Sequence, residues 1–173
     1  MSSPPVPDAR LFLALWPPAP VRDALVQAVS TWPWPDAARR TRPERLHATV
    51  HFIGGVPIAR LEELKQELAV PFEPFEWELS RPDVWQGSIA VLRPTETPPA
   101  LARLHERLAA RLRALGLPVE ERPYRPHVTL ARKARGFAPP AQVPPVRWRA
   151  EDGYRLVRTL PGGGGYEPLA RFG

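Results

Sequence analysis

The chain has no cysteine. Disulfides, thiolate nucleophiles and cysteine-based metal sites are therefore excluded. It has one methionine, and only two of its 24 basic residues are lysines, Lys65 and Lys133. No apolar run approaches the roughly 20 residues needed to cross a bilayer. The start, Met1 to Arg10, is rich in proline and serine and lacks the basic-then-apolar order of a secretory leader. These absences read as a cytoplasmic chain that does not enter a membrane. The glycine run Gly162 to Gly165 has no Lys-Ser/Thr after it and no helix start, so it is not a phosphate loop. It reads as a hairpin turn, and no nucleotide cofactor is implied.

What is present is arginine, proline and a net charge of +6. A planar guanidinium can grip two phosphate oxygens at once, although a GC-rich genome also enriches arginine, alanine, proline and glycine together. The net charge favours an anionic partner. The 25 prolines fit short, stiffened loops.

At 173 residues the chain has the size of one domain, or of two small lobes sharing a core. Arg10 to Trp16 reads as a buried strand ended by Pro17 and Pro18. Val21, Leu25, Val26 and Val29 then recur at helical spacing. Residues 46–53 alternate as a strand that Gly54 and Gly55 stop. Pro57 to Leu68 has one apolar helical face. Phe75 to Ser80 and Ser88 to Leu92 read as strands. Thr97 followed by two prolines marks a helix start, and the leucines from Leu101 to Leu115 fill one face until Gly116 ends it. Residues 127–132 are a strand, and Tyr154 to Leu160 with Tyr166 to Phe172 form a hairpin. Pro139 to Pro145 reads as a linker or an exposed loop, not a domain boundary. The mixture is α+β with mainly antiparallel sheet.

One pattern stands above the rest. Residues 42–49 read Arg-Pro-Glu-Arg-Leu-His-Ala-Thr, and residues 122–129 read Arg-Pro-Tyr-Arg-Pro-His-Val-Thr. Five of the eight positions match at an offset of 80. On a strand, residues two apart share a face. His47 and Thr49 therefore share one face, and Val50 and Phe52 belong to an apolar face opposite. His127 and Thr129 repeat the arrangement. A single His-x-Thr is ordinary for a half-exposed strand; two copies with a repeated lead-in point to a pair. Imidazole, with an unperturbed pKa of about 6.5, exists in both protonation states near neutrality. One neutral and one protonated ring on opposite sides of a phosphorus supply base and acid without a metal. The two hydroxyls can donate to oxygens where negative charge collects.

These residues resemble the paired motifs of the 2H phosphoesterase superfamily, in its RNA 2′,3′-cyclic phosphodiesterase branch, also called 2′-5′ RNA ligase-like proteins. His47-x-Thr49-Val50-x-Phe52 and His127-x-Thr129-Leu130-x-Arg132 carry the resemblance. Arg10-Leu-Phe-Leu-Ala-Leu, Phe52-Ile-Gly54 and the closing Gly-Gly-Tyr166-Glu-Pro-Leu-Ala-Arg-Phe extend it. The resemblance implies one domain over residues 1–173 made of two interleaved lobes. Two antiparallel sheets would form a pseudo-twofold V around a central cleft, with helices outside. It implies metal-independent opening of a 2′,3′-cyclic phosphate at an RNA end to a 2′-phosphate. His47 would be the acid on the leaving 3′ oxygen and His127 the base on water. Thr49, Thr129 and Arg132 would bind phosphate. The implied partner is RNA with a cyclic phosphate end, tRNA fragments among them, met by a monomer with no cofactor and no obligate protein partner. Ligation of 2′-5′ ends, another cyclic nucleotide phosphate, or a non-catalytic RNA-binding module are the alternatives.

Arg132 poses a conflict, because strict alternation from His127 places it with Leu130 on the apolar face. Either the strand twists or ends, or the side chain reaches round, or Arg132 is not a ligand. Arg45 and Arg125 flank the motifs as candidate RNA contacts, and Tyr124 could stack on a base or pack under its loop. His51, four residues from His47 on one strand, sits roughly 13 Å away at about 3.3 Å per residue. That is too far to share a metal ion, so His51 reads as a contact to RNA backbone or a surface histidine. His105 reads as structural.

Overall fold

The computed structural model describes residues 7–173; the Pro- and Ser-rich start lies outside them up to position 6. Ten strands follow in chain order: β1 (Asp8–Leu15), β2 (Arg39–Arg40), β3 (Ala48–Pro57), β4 (Phe75–Leu79), β5 (Arg81–Trp85), β6 (Ile89–Arg93), β7 (Val128–Arg132), β8 (Val146–Ala150), β9 (Tyr154–Thr159) and β10 (Tyr166–Phe172). Three α-helices intervene: α1 (Ala19–Val29), α2 (Leu61–Glu67) and α3 (Pro99–Ala114). The result is α+β with two antiparallel sheets. The larger runs β10-β9-β1-β3-β7-β6-β5, with β2 alongside β7, and the smaller is the ribbon β4-β8.

β1 is central, which explains its unbroken apolar run. Leu11, Leu13 and Leu15 enter the main core, while Phe12 and Ala14 are buried in a second cluster on the opposite face with Val157. The two edge strands of the large sheet, β5 and β10, each carry a proline, Pro82 and Pro168. Proline donates no ladder hydrogen bond and is tolerated at an edge. α3 buries Leu101, Leu104, Leu108, Ala109 and Leu112. It ends where Gly116 takes a φ of +72° and Leu117 N–H returns to the Leu112 carbonyl at 2.9 Å. That left-handed turn is glycine's role at a helix end.

Several expectations are corrected. The cap residue of α3 is Pro98, with no side-chain hydrogen bond, so Thr97 does not cap it. Gly54 and Gly55 do not stop β3; they pair with Leu11 and Arg10, and only Gly54 adopts a positive φ, +85°. The helix expected from Pro57 opens as a 3₁₀ turn, and α2 proper begins at Leu61. The strands β2, β5 and β8 were not anticipated. β8 shows plain alternation, with Val146, Trp148 and Ala150 buried, and Trp148 sits opposite Trp77 on β4.

β3 and β7, the two motif strands, meet at one residue pair only, Ala48 opposite Val128. From that bridge β3 continues beside β1, and β7 continues beside β6. The large sheet is therefore two halves joined at one point, and the motif echo is related about that point. Both bridge residues are fully buried on the core side.

Candidate active site

The bridge dictates what stands on its other face. In antiparallel register, Ala48 opposite Val128 sets His47 against Thr129 and Thr49 against His127. Four polar side chains thus surround one point, two from each motif. Each imidazole is fixed by the same device. The Arg45 carbonyl accepts from His47 Nδ1–H at 2.7 Å, and the Arg125 carbonyl accepts from His127 Nδ1–H at 2.9 Å. A carbonyl only accepts, so Nδ1 holds the proton in both rings and Nε2 is left for chemistry. The Thr49 hydroxyl lies 3.1 Å from His47 Nε2 and donates to it in the neutral ring.

The conflict over Arg132 resolves in the sheet. On β7, Thr129 pairs with Val91 and Ala131 with Ala90, so Leu130 is an extra residue. On β3, Thr49 pairs with Ala14 and His51 with Leu13, so Val50 is an extra residue. Each strand carries a β-bulge at the same place in its motif. A bulge inserts one residue and reverses the alternation beyond it. Leu130 and Ala131 are consequently both buried, and Arg132 emerges exposed on the histidine face. Val50 and His51 are likewise both buried, and Phe52 emerges 64% exposed. Arg132 and Phe52 are the equivalent positions of the two halves.

This overturns two expectations. Phe52 is on the site face, not in the core, and lies 6.3 Å from Phe12 between ring centres. His51 is only 3% exposed and donates from Nε2 to the His105 carbonyl at 2.8 Å. It stacks on the His105 ring at 4.0 Å, and that ring stacks on Tyr124 at 4.2 Å. His51 is therefore not available to RNA. Tyr124 is committed as well, its hydroxyl donating to the Thr49 carbonyl at 2.9 Å and its phenol pushed up by burial. It holds the motif strand from beneath instead of offering a stacking platform.

The electrostatics are one-sided. Burial pulls the His47 imidazole down to about 4; the Arg45 carbonyl opposes this, and His127 and Arg132 add to the lowering. Burial also lowers His127, with further pressure from Arg125, Arg132 and Arg93. Arg132 acts on both rings. The charged side chains that lower the two rings, Arg93, Arg125 and Arg132 among them, are cations. Such a site leaves both imidazoles neutral when empty and draws in an anion.

Residues 17–152 match the family model of the 2′-5′ RNA ligase superfamily. The chain is also 32% identical to an RNA 2′,3′-cyclic phosphodiesterase of Thermus thermophilus, covering 94% of this chain and 89% of that one. The chain belongs to the 2′-5′ RNA ligase superfamily. Among solved structures, a Thermus thermophilus crystal structure superposes with a TM-score of 0.72 at 31% identity, covering 94% of this chain and 96% of that one. Escherichia coli LigT in its apo form superposes with a TM-score of 0.79 at 25% identity, covering 95% and 96%.

In this superfamily member two further groups frame the histidines, and sequence reasoning missed both. Behind His47 stands an aromatic wall. Trp16 stacks on the imidazole at 4.8 Å and 14°, Tyr166 meets it edge-on at 5.3 Å, and Phe12 lies 5.0 Å away. The Trp16 indole is pinned by donating to the Glu44 carbonyl at 3.2 Å, and Arg155 covers its ring at 5.6 Å. Behind His127 stands Trp85, edge-on at 4.4 Å, with the Arg125 guanidinium 4.6 Å from its ring centre. Asp83 ties this side together, accepting from Trp85 at 2.9 Å and pairing with Arg93 at 3.2 Å. The Arg93 Nε is buried without a partner. Arg45 reaches the Gly163 carbonyl at 3.3 Å and lines a cavity of about 280 Å³ with Trp16, Arg155 and Tyr166. Trp16 follows directly on β1, the strand paired with β3, and that pairing is visible only in the sheet. Among the described residues no group of three His, Cys, Asp or Glu side chains is placed to hold a metal ion. Among the described residues no helix is long and apolar enough to cross a membrane.

Proposed function

We propose that this chain opens 2′,3′-cyclic phosphates at RNA ends to 2′-phosphates, with His47 and His127 as an acid–base pair and no metal. The observation that supports this most is the shared fixing of both rings through Nδ1, which presents two Nε2 atoms to one point from the two halves of the sheet. Water attacks phosphorus and gives its proton to His127 Nε2. The bond from phosphorus to the 3′ oxygen breaks, and His47 Nε2 gives that oxygen its proton. The 2′ oxygen keeps the phosphate. Thr49 and Thr129 donate to the non-bridging oxygens, and Arg132 neutralises charge that grows in the transition state.

The lowered imidazoles fit this scheme once substrate is included. A neutral His127 is ready as a base at pH 7. His47 must be protonated to act as acid, and the phosphate anion entering between the rings favours its charged form. The exposed Phe52 ring on the His47 side supports seating the terminal nucleoside there, with the 3′ oxygen towards His47.

The test is a short RNA ending in a 2′,3′-cyclic phosphate, incubated in EDTA. Wild type yields a 2′-phosphate end, and His47→Ala and His127→Ala each lose about 10²–10⁴-fold, the usual contribution of a general acid or base. Activity abolished by EDTA and restored by a divalent ion, or a 3′-phosphate product, would contradict the reading.

A further inference from the structure

Past their bulges the two motif strands have different neighbours. Beside Phe52 stands Phe12. Beside Arg132 stands a second arginine, because β2 pairs with β7 in the register Arg39 to Arg132. Directly opposed residues of an antiparallel pair project to one face with Cβ atoms about 5 Å apart. Arg39 therefore shares the site face with Arg132. Arg40 pairs with buried Ala131 and turns to the other side, where it lines a cavity with Val26 and Leu130.

Like charges directly opposed destabilise a strand pair. Neither guanidinium has an ion-pair partner among the described residues. Yet the two-residue strand is held firmly. Thr41 donates its N–H to the Leu130 carbonyl at 2.8 Å and its hydroxyl to the Thr129 carbonyl at 2.9 Å. The loop before it is anchored by Trp32 and Trp34, both stacked on Phe137. The backbone beneath both arginines is thus held in place beside the motif strand, and an anion between two like charges there would relieve their repulsion.

We propose that Arg39 takes the internucleotide phosphate next to the cyclic phosphate held by Arg132, so that the site selects the end of an RNA strand over a free cyclic mononucleotide. The inference rests on the hydrolysis proposed above, which assigns the cyclic phosphate to Arg132. A cyclic mononucleotide offers one phosphate and leaves Arg39 without a ligand; a strand end offers a second phosphate one nucleotide away. The contact is to backbone, so it carries no base preference and weakens with salt.

The test compares kcat/KM for a cyclic mononucleotide and for a short RNA with a cyclic phosphate end, in wild type and Arg39→Ala. In parallel, fluorescence anisotropy follows a labelled short RNA ending in a 2′-phosphate. Loss of one charge-assisted phosphate contact should lower kcat/KM on the RNA about tenfold, mainly through KM. The mononucleotide value should stay unchanged. The slope of log affinity against log salt should fall by about 0.7, the single-strand value for one phosphate. Equal loss on both substrates, or no loss on the RNA, would overturn the proposal. If wild type turns over neither substrate, the hydrolysis reading fails, while the anisotropy still decides Arg39: undiminished RNA binding by Arg39→Ala overturns it.

Discussion

His47 and His127 owe their orientation to carbonyls two residues upstream, at Arg45 and Arg125. Both histidines were legible because the same eight-residue segment occurs twice, and one copy alone would have meant little. Trp16, Trp85 and Phe12 were not legible, because their relevance comes from packing across strands distant in sequence. Phe52 illustrates the point. Read locally it belongs to the core; in the sheet it is the most exposed large apolar side chain of the site face. Its expected role is to carry the terminal nucleoside. Stacking of a base on an aromatic ring is worth about 1–3 kcal/mol, so Phe52→Ala should raise KM roughly tenfold and leave kcat nearly unchanged. Steady-state kinetics on a cyclic-phosphate RNA checks this; an effect on kcat alone would mean that Phe52 positions His47 instead.

At the scale of the element, the decisive feature is the paired bulge. Alternation predicted β3 and β7 correctly up to the threonines and failed beyond them. The extra residues Val50 and Leu130 are defined by the partner strands β1 and β6, not by the segments that contain them. The same cause hid β2 and β5, which are short or proline-bearing and exist through their pairing. The lead-in to β7 is secured by Tyr124, whose hydroxyl serves the Thr49 carbonyl on the other motif strand. Tyr124→Phe removes that donor from a part-buried acceptor, at a cost of about 1 kcal/mol. Thermal unfolding should show Tm lower by roughly 2–4 °C for each kcal/mol lost. Catalytic loss should accompany it, since Thr49 moves with its carbonyl. An unchanged Tm would show that the bond contributes nothing net.

At the scale of the whole molecule, the bridge at Ala48 and Val128 organises both packing and charge. The apolar side carries the core and the histidine stack against α3; the polar side carries the site and its arginines. Burial holds His47 and His105 at about 4 and also lowers His51. In the unfolded chain these rings titrate near 6.5. Between these values the unfolded state binds more protons than the folded one. Stability therefore rises with pH across that window and falls on acidification from about 6.5 towards 4. Denaturant midpoints at pH 7 and pH 5 should show the decline. His105→Phe, which keeps a ring between His51 and Tyr124, should flatten it; an equally steep decline in that variant would remove His105 as a source. The α+β class and most elements of the large sheet were legible from periodicity. The meeting of its two halves at a single residue pair was not, because no local pattern encodes where two strands stop pairing.

The assignment of acid to His47 and base to His127 is tested most directly by changing the leaving atom. A cyclic phosphate whose 3′ bridging oxygen is replaced by sulfur expels a thiolate, which needs no proton to leave. His47→Ala should be severely impaired on the oxygen substrate and recover most of the wild-type rate on the sulfur one, while His127→Ala remains impaired on both. Recovery by His127→Ala instead would exchange the two roles. Recovery by neither would contradict the acid–base pair itself.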